Sequence, residues 1–236
     1  MANIGLATHF SVLMSASIYS FPDSGVWVAP APPADEVMGE GVHRMIAILA
    51  LLFLAPLMIL VAMAVFASDG GPVVFAHRRI GQNGKTFPCL KFRSMAVDAE
   101  QRLAALLESD PEARAEWEKD HKLRDDPRVT KLGRFLRRTS LDELPQLINV
   151  LRGEMRLVGP RPIVEAEIRK YGRRFSHYCA VKPGITGLWQ VSGRNDTTYR
   201  ARVAMDSIYA QRKTLGLDMM VLFLTVPVVL SRRGSY

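Results

Sequence analysis

Residues 45–67 form an apolar run of 23 residues without one charged side chain. A helix of that length measures about 35 Å, enough to cross the roughly 30 Å hydrocarbon core of a bilayer. Pro56 lies at its middle, and because proline removes a backbone donor and clashes with the preceding turn, a kink is expected there. The run therefore predicts a membrane helix over residues 43–68, kinked at Pro56, and favours it over a core helix of a soluble domain.

Charge is distributed unevenly on the two sides of this run. Residues 1–44 carry a net charge of −3, whereas residues 68–236, with 30 Lys and Arg against 19 Asp and Glu, carry +11. Because basic flanks stay in the cytoplasm, a spanning helix would leave the acidic end outside. A re-entrant helix that bends at Pro56 and returns to the same face is the alternative. Either way, residues 69–236 are predicted to be cytoplasmic.

The chain outside the membrane helix predicts an α+β fold that is mostly helical. Residues 1–42 contain four prolines and no sustained period, which predicts a flexible tail. Residues 73–77 and 86–92 are β-prone and flank an Asn-Gly turn, which predicts a short hairpin. Residues 131–139 are basic and amphipathic. Residues 217–230 are too few to span a bilayer and predict either an interfacial helix or a core helix.

Two adjacent carboxylates, Asp142 and Glu143, are the strongest candidates for chemistry. Ser140, followed three residues later by Glu143, fits a capping box at the start of a helix. That interpretation does not require Asp142. Adjacent carboxylates also hold Mg²⁺ through hard oxygen ligands, and one of them can attack phosphorus to form an acyl phosphate. The residues alone leave both interpretations open.

Several cations could bind a phosphorylated substrate beside these carboxylates. Lys91 and Arg93 alternate on a predicted strand, so both would point to one face. Arg161 stands between two prolines that fix its backbone, which would aim its guanidinium at a phosphate. Arg137 lies just before the carboxylates. Each of these residues alone also fits a solvated surface, but together they would neutralise a diphosphate.

Other chemistries have little support in the sequence. Two cysteines exclude a disulfide framework and a four-cysteine zinc site. The chain has no phosphate-binding P-loop, no dinucleotide fingerprint and no nucleophile elbow. Its basic charge keeps a membrane-anchored adaptor without catalysis as a second hypothesis. Aromatic residues are not interleaved with cations as on a nucleic-acid-binding sheet, so no nucleic-acid partner is predicted.

Four motifs in fixed order resemble the bacterial sugar transferase family, the monotopic polyprenyl-phosphate phosphoglycosyl transferases, and the resemblance covers residues 43–236. The motifs are Lys91-Phe92-Arg93-Ser94-Met95, Leu141-Asp142-Glu143-Leu144-Pro145-Gln146-Leu147, Gly159-Pro160-Arg161-Pro162, and Lys182-Pro183-Gly184-Ile185-Thr186-Gly187 with Trp189-Gln190 and Ser192-Gly193-Arg194. Each motif alone is weak, but the four together are specific.

The resemblance implies an active site built on these motifs. Asp142 would be the nucleophile, and Glu143 its partner in binding Mg²⁺. Substrate- or phosphate-binding residues are predicted at Lys91, Arg93, Arg137, Arg161, Pro162, Arg194 and Asp206.

The resemblance also implies the reaction and its location. Family members move a sugar-1-phosphate from a UDP-sugar to undecaprenyl phosphate, release UMP and form a covalent phosphosugar intermediate. The chain resembles short members that initiate exopolysaccharide synthesis, which favours UDP-galactose, with UDP-glucose as the alternative.

The implied location is the bacterial inner membrane, with a re-entrant helix and a cytoplasmic catalytic domain. The family breaks this helix at a Ser-Pro pair, where this chain has Ala55-Pro56. A homo-oligomer is left open. A metal-dependent transfer without a covalent step, which would release UDP, is a third hypothesis.

Overall fold

A computed structural model describes residues 34–120, 123, 126–193 and 197–231 of the chain. The fold is mostly helical with two small sheets, which confirms the predicted fold class in its coarse form. Most of the segment predicted as a flexible tail, and Arg194 among the predicted site residues, lie outside the described residues.

The apolar run lies within one long helix, α1, which spans Ala34–Asp69 and continues through Pro56. It begins nine residues before the predicted start of the membrane helix at residue 43. Polar contacts explain the extension: Glu40 Oε1 accepts a hydrogen bond from Lys182 Nζ at 2.5 Å. Among the described residues, α1 is the one helix that is long and apolar enough to cross a membrane.

One face of α1 packs along the rest of the fold over most of the helix. Ala47 belongs to a central hydrophobic cluster, and Val61 and Val65 belong to a second cluster. The opposite face exposes large apolar side chains, of which Phe53 is 83% exposed. An uncovered apolar surface of this length is typical of contact with lipid or with a partner.

A β-hairpin follows α1, as predicted. Strand β1 (Val74–Ile80) pairs antiparallel with β2 (Thr86–Phe92), and Phe75 lies opposite Lys91. The second strand has the predicted bounds. The first strand runs three residues further than predicted, because Ile80 also bridges to Ile163 and its amide donates to the Ile163 carbonyl oxygen at 2.9 Å.

Helices form most of the remaining fold. In chain order they are α2 (Ala99–Ser109), α3 (Pro111–Asp120), α4 (Lys131–Thr139), α5 (Gln146–Leu151), α6 (Ile168–Tyr171), α7 (Phe175–Cys179), α8 (Leu188–Ser192), α9 (Tyr199–Arg212) and α10 (Leu215–Ser231). Helix α10 has a mixed environment: Val221 is fully buried, whereas Phe223 is 78% exposed. It therefore contributes to the core and also presents apolar side chains on its outer face.

Two short strands, β3 (Arg156–Val158) and β4 (Gly184–Thr186), pair in parallel. Just beyond β3, the backbone of Gly159 lies unusually close to Gly184 and Gly187, and we call this close approach the crossing of β3 and β4. A Cβ atom on Gly184 would collide with the backbone nitrogen of Gly159, and one on Gly187 would collide with the Gly159 carbonyl oxygen. Glycine is therefore required on both sides of the crossing. The crossing brings two of the sequence motifs together.

A buried polar network fastens α1 to this region. Asp218 accepts hydrogen bonds from His43 Nε2 at 2.8 Å, from the Tyr209 hydroxyl at 2.7 Å and from Arg156 Nη2 at 3.3 Å. All four side chains are at most 6% exposed. The network joins α1, β3, α9 and α10 at one point, so the first part of α1 is an integral part of the domain.

Candidate active site

The two adjacent carboxylates lie on a tight turn directly after α4. Ser140 ends that helix in the left-handed conformation, with φ 58°, and its amide donates to the Arg137 and Leu136 carbonyl oxygens. A single 3₁₀ turn, Leu141–Glu143, follows, and the Ser140 side chain makes no capping hydrogen bond to it. The capping-box interpretation is therefore wrong: the Glu143 amide donates to the Ser140 carbonyl oxygen at 3.2 Å, but the Ser140 side chain does not cap the turn.

The turn is fixed by its apolar residues. Leu141 and Leu144 pack into the cluster that contains Val61 and Val65 of α1. Asp142 between them is buried, with 6% of its surface exposed. The second half of α1 therefore supports the turn that carries the carboxylates.

Lys91, at the end of β2, bridges the carboxylate pair. Its Nζ lies 2.7 Å from Glu143 Oε1 and 3.7 Å from Asp142 Oδ2. Arg161 reaches the same group, with its Nη1 4.0 Å from Glu143 Oε1. Residues from two of the predicted cation positions thus meet the carboxylate pair.

Lys91, Glu143 and Arg161 line a narrow pocket, and Asp142 is not part of its lining. Its full lining is Arg79, Cys89, Lys91, Glu143, Gln146, Arg161, Pro162, Gly184 and Ile185. Three cations and one carboxylate give its wall a positive balance, which suits an anionic ligand. The rest of the lining is uncharged.

The Pro-Arg-Pro turn is held from two sides. The close crossing of β3 and β4 places it, since the Gly184 amide donates to the Pro160 carbonyl oxygen at 2.8 Å. Arg79 Nη1 donates to the Pro162 carbonyl oxygen at 3.3 Å. The Arg161 guanidinium lies 6.0 Å from the ring centre of Trp189. These contacts give Arg161 a defined direction towards Glu143.

Burial sets the protonation of Asp142. Removal from water raises the pKa of its carboxyl group, and the neighbouring charge of Glu143 raises it further. Lys91, Arg137 and Arg161 oppose this shift. A carboxylate that has lost its hydration but sits beside cations is a reactive oxygen nucleophile whenever it is ionised.

Asp206 lies deeper, on α9. Its Oδ2 accepts a hydrogen bond from the Tyr171 hydroxyl at 2.7 Å. Burial raises the pKa of Asp206 to about 7, although Tyr171, Arg161 and Arg202 each lower it in part. The residue is therefore buried within the electrostatic reach of Arg161 and does not line the pocket.

Comparison with known proteins decides the family. The family described as "Bacterial sugar transferase" matches residues 35–232. The chain belongs to the bacterial sugar transferase family.

Several curated members of the bacterial sugar transferase family are similar to this chain. An "Undecaprenyl-phosphate galactose phosphotransferase" from Salmonella typhimurium is 55% identical over 80% of this chain and 40% of its own length. An "Exopolysaccharide production protein ExoY" from Sinorhizobium fredii is 52% identical over 81% of this chain and 85% of its own length. A "UDP-glucose:undecaprenyl-phosphate glucose-1-phosphate transferase" from Xanthomonas campestris is 39% identical over 82% of this chain and 39% of its own length. The chain thus spans about 40% of the length of several relatives.

The predicted bacterial sugar transferase site is assembled only in part. The structure brings together five of the predicted residues: Lys91, Asp142, Glu143, Arg161 and Pro162. Arg137 faces Asp142, and its Nε donates to Ser94 Oγ at 2.9 Å. Arg93 does not join them. It follows the last residue of β2 and forms an ion pair with Asp69, the final residue of α1.

Two pocket residues were missed by sequence reasoning. Arg79 lies beyond the predicted strand 73–77, and no sequence signal placed it near Arg161. Gln146 lies inside the motif that carries the carboxylates and directly follows a proline, so its place in the motif was an available signal. Both line the pocket.

The described part of this sugar transferase holds no group of three or more His, Cys, Asp or Glu side chains arranged for a metal ion. Glu143 lines the pocket, and Asp142 is its neighbour in the chain. Mg²⁺ usually keeps several waters and binds through one or two carboxylates plus substrate phosphates. The pair therefore fits a Mg²⁺ ion that a diphosphate completes.

Proposed function

We propose that this protein transfers a hexose-1-phosphate from a UDP-sugar to undecaprenyl phosphate and releases UMP. The observation that carries the proposal is the buried Asp142 carboxyl group, whose Oδ2 lies 3.7 Å from Lys91 Nζ beside a pocket lined by Glu143 and Arg161. The printed names of the relatives from Salmonella typhimurium and Xanthomonas campestris support the lipid acceptor and the sugar phosphate.

The first step forms a covalent intermediate on Asp142. An ionised Asp142 oxygen attacks the β-phosphorus of the donor, and the bond from that phosphorus to the oxygen bridging the two phosphates breaks. UMP leaves with the bridging oxygen, and the hexose phosphate stays as an acyl phosphate. Lys91 and Arg161 neutralise the oxygens of the transferred phosphoryl group as charge moves towards UMP.

The second step regenerates the carboxylate. A phosphate oxygen of undecaprenyl phosphate attacks the same phosphorus, the acyl phosphate bond breaks, and the Asp142 carboxylate returns. The product is a lipid-linked diphosphate sugar. Because donor and acceptor use one phosphorus-binding site in turn, the pocket need not hold both anions at once.

Asp142 and Glu143 are the residues that would hold Mg²⁺. The ion would offset the negative charge of the diphosphate when bound. Its role is distinct from that of Lys91 and Arg161, which belong to the protein.

The fold supports a re-entrant helix at the cytoplasmic face of the inner membrane. Near its start α1 is bound by Asp218 through His43, and at its end Asp69 pairs with Arg93. Both partners belong to the same basic domain. A helix that crossed the bilayer would separate its two ends by the hydrocarbon core. The turn that carries Asp142 packs on the second half of α1, which suits a reaction at the height of the lipid head groups.

The deciding experiment measures UMP release from UDP-galactose by the purified chain with undecaprenyl phosphate and Mg²⁺. We expect Asp142→Asn to abolish release and Glu143→Gln to lower it by about 100-fold or more, since each removes a group that acts on the reacting phosphorus. Glu165→Gln, at an exposed acid outside the pocket, is the matched control and should keep full activity.

Intact mass measured with donor but no acceptor tests the covalent step. The wild-type chain should gain one hexose phosphate, and Asp142→Asn should gain nothing. Release of UDP in place of UMP would favour the route without a covalent step. Turnover by Asp142→Asn at the wild-type rate would overturn the assignment of the nucleophile. A panel of UDP-sugars, with UDP-galactose expected first and UDP-glucose second, identifies the donor.

A further inference from the structure

Gln146 is a buried amide that lines the pocket. It is 3% exposed and is the first residue of α5. Within the described part of the chain its side chain makes no hydrogen bond, and its amide atoms are not among the fully enclosed ones that lack a partner, so they reach the pocket. An amide that lines a pocket without a partner in the protein is available to a ligand.

Asn149, one turn later on the same helix, shows what a structural amide looks like here. Its Nδ2 donates to the Pro88 carbonyl oxygen at 2.8 Å and to Glu154 Oε2 at 2.6 Å. Its Oδ1 accepts from the Leu90 amide at 3.0 Å. Asn149 thus ties α5 to β2, whereas Gln146 ties nothing and faces the pocket.

The wall of the pocket has two kinds of surface. Arg79, Lys91 and Arg161 supply donors, and a phosphate is an acceptor. Cys89, Pro162, Gly184 and Ile185 supply uncharged surface. Gln146 is the one neutral polar side chain in the lining, and its amide can donate and accept at the same time, as a hydroxyl group does.

We infer that Gln146 recognises a hydroxyl group of the donor's hexose and so helps to set the sugar specificity of the transferase. The inference rests on the proposed function. The cations hold the diphosphate, the uncharged wall packs against the C–H face of the sugar ring, and Gln146 contacts one hydroxyl at the ring's edge.

The test compares donors with and without a hexose on Gln146→Met, which keeps the length of the side chain and removes its amide. We expect kcat/KM for UDP-galactose to fall about tenfold, as for the loss of one neutral hydrogen bond. The inhibition constant of UDP, which has no sugar, should stay within about twofold. Lys91→Met is the comparison variant, and it should weaken both.

A set of UDP-deoxygalactoses, each lacking one hydroxyl, identifies the contact. The wild-type chain should lose activity with one of them, and Gln146→Met should be indifferent to that same change. Equal loss of UDP and UDP-galactose binding would assign Gln146 to the phosphates and overturn the inference. Absence of coupling with every deoxy donor would overturn it as well.

Thermal unfolding separates recognition from a structural role. Gln146→Met and Gln146→Asn should unfold at the wild-type temperature or above it, while Asn149→Leu should lower the midpoint. A large loss of stability in both Gln146 variants would contradict the inference. If the wild-type chain released no UMP from any UDP-sugar, the proposed function itself would fail. Wild-type turnover with unchanged sugar recognition in Gln146→Met would refute the inference alone.

Discussion

Asp142 and Asp206 are both buried carboxyl groups, but their neighbours differ. Asp142 lies beside Lys91 and Glu143 at the pocket, whereas Asp206 receives a hydrogen bond from Tyr171. Burial raises the pKa of both groups. Lys91 beside Asp142 favours the charged form of that carboxyl group, which a nucleophile needs. The Tyr171 hydroxyl beside Asp206 also favours the charged form, but less strongly than a cation does.

The raised pKa of Asp206 predicts a pH dependence of stability. The carboxyl group titrates near pH 4 when unfolded and at about 7 when folded, so the folded chain holds a proton between these values. The stabilisation from this group is fully present below about pH 4 and is lost as pH rises towards 7. We expect the free energy of unfolding to fall by a few kcal/mol, on the order of 1.4 kcal/mol per pH unit, across this window.

Urea unfolding at a series of pH values measures this effect. Asp206→Asn cannot titrate, so its stability should change less between pH 5 and pH 8 than that of the wild-type chain. Other groups titrate in both proteins and cancel in the comparison. A wild-type profile that rises with pH relative to Asp206→Asn would contradict the raised pKa.

The sequence identified the carboxylate pair and the cations that contact it better than the other residues around them. Asp142, Glu143, Lys91 and Arg161 meet as predicted, because each lies at a position that a motif determines. Contrary to the sequence prediction, Arg93 does not point to the same face as Lys91, for a local reason. Side chains alternate between faces only inside a strand, and β2 ends at Phe92. Arg79 comes close to Arg161 only through a contact 83 residues apart, which strand propensity cannot indicate.

At the scale of elements, the crossing of β3 and β4 places the Pro-Arg-Pro turn. Both strands are short, and their backbones must approach each other closely at Gly159 and Gly184. The Gly159 amide donates to the Thr186 carbonyl oxygen at 2.9 Å. The motif glycines could be noted from sequence, but their partners could not, since strands of three residues carry almost no pattern. A side chain at either glycine would push the turn away from Glu143.

Gly184→Ala tests this crossing. The added Cβ would collide with the Gly159 backbone, which cannot rotate away as a side chain can. We expect a loss of about 3 kcal/mol or more in the free energy of unfolding, in the range of severe overpacking, together with a strong loss of UMP release.

Gly41→Ala is the matched control for that variant. Gly41 lies in α1, and a Cβ there meets nothing within 4 Å. Alanine should stabilise the helix by up to about 1 kcal/mol. If Gly184→Ala were as stable and active as this control, the crossing would not position Arg161.

At the scale of the whole molecule, α1 is the described helix that is long and apolar enough to cross a membrane. The apolar length of α1 was evident from sequence. Its start was not, because residues 1–42 contain four prolines and show no sustained period. The structure binds both ends of α1 to one domain through His43 and Asp69. The re-entrant geometry that the family implies remains a prediction.

Cysteine labelling in cells tests that geometry. Gly41→Cys and Ser68→Cys place exposed thiols near the two ends of α1, in a background with Cys89 and Cys179 replaced by alanine. A reagent that cannot cross membranes should label neither thiol in intact spheroplasts and both thiols in inverted vesicles. Labelling of Gly41→Cys alone in spheroplasts would show that the helix spans the bilayer.

The packing of α1 has a practical consequence for preparing this protein. Ala47 lies in one hydrophobic cluster and Val65 in another, so trimming the chain at Asp69 would open both interiors to water. Such a truncated version would aggregate and would not yield a convenient water-soluble enzyme. Helix α1 is thus part of the interior of the fold, so detergents or lipid discs would have to accommodate the helix and the rest of the domain together.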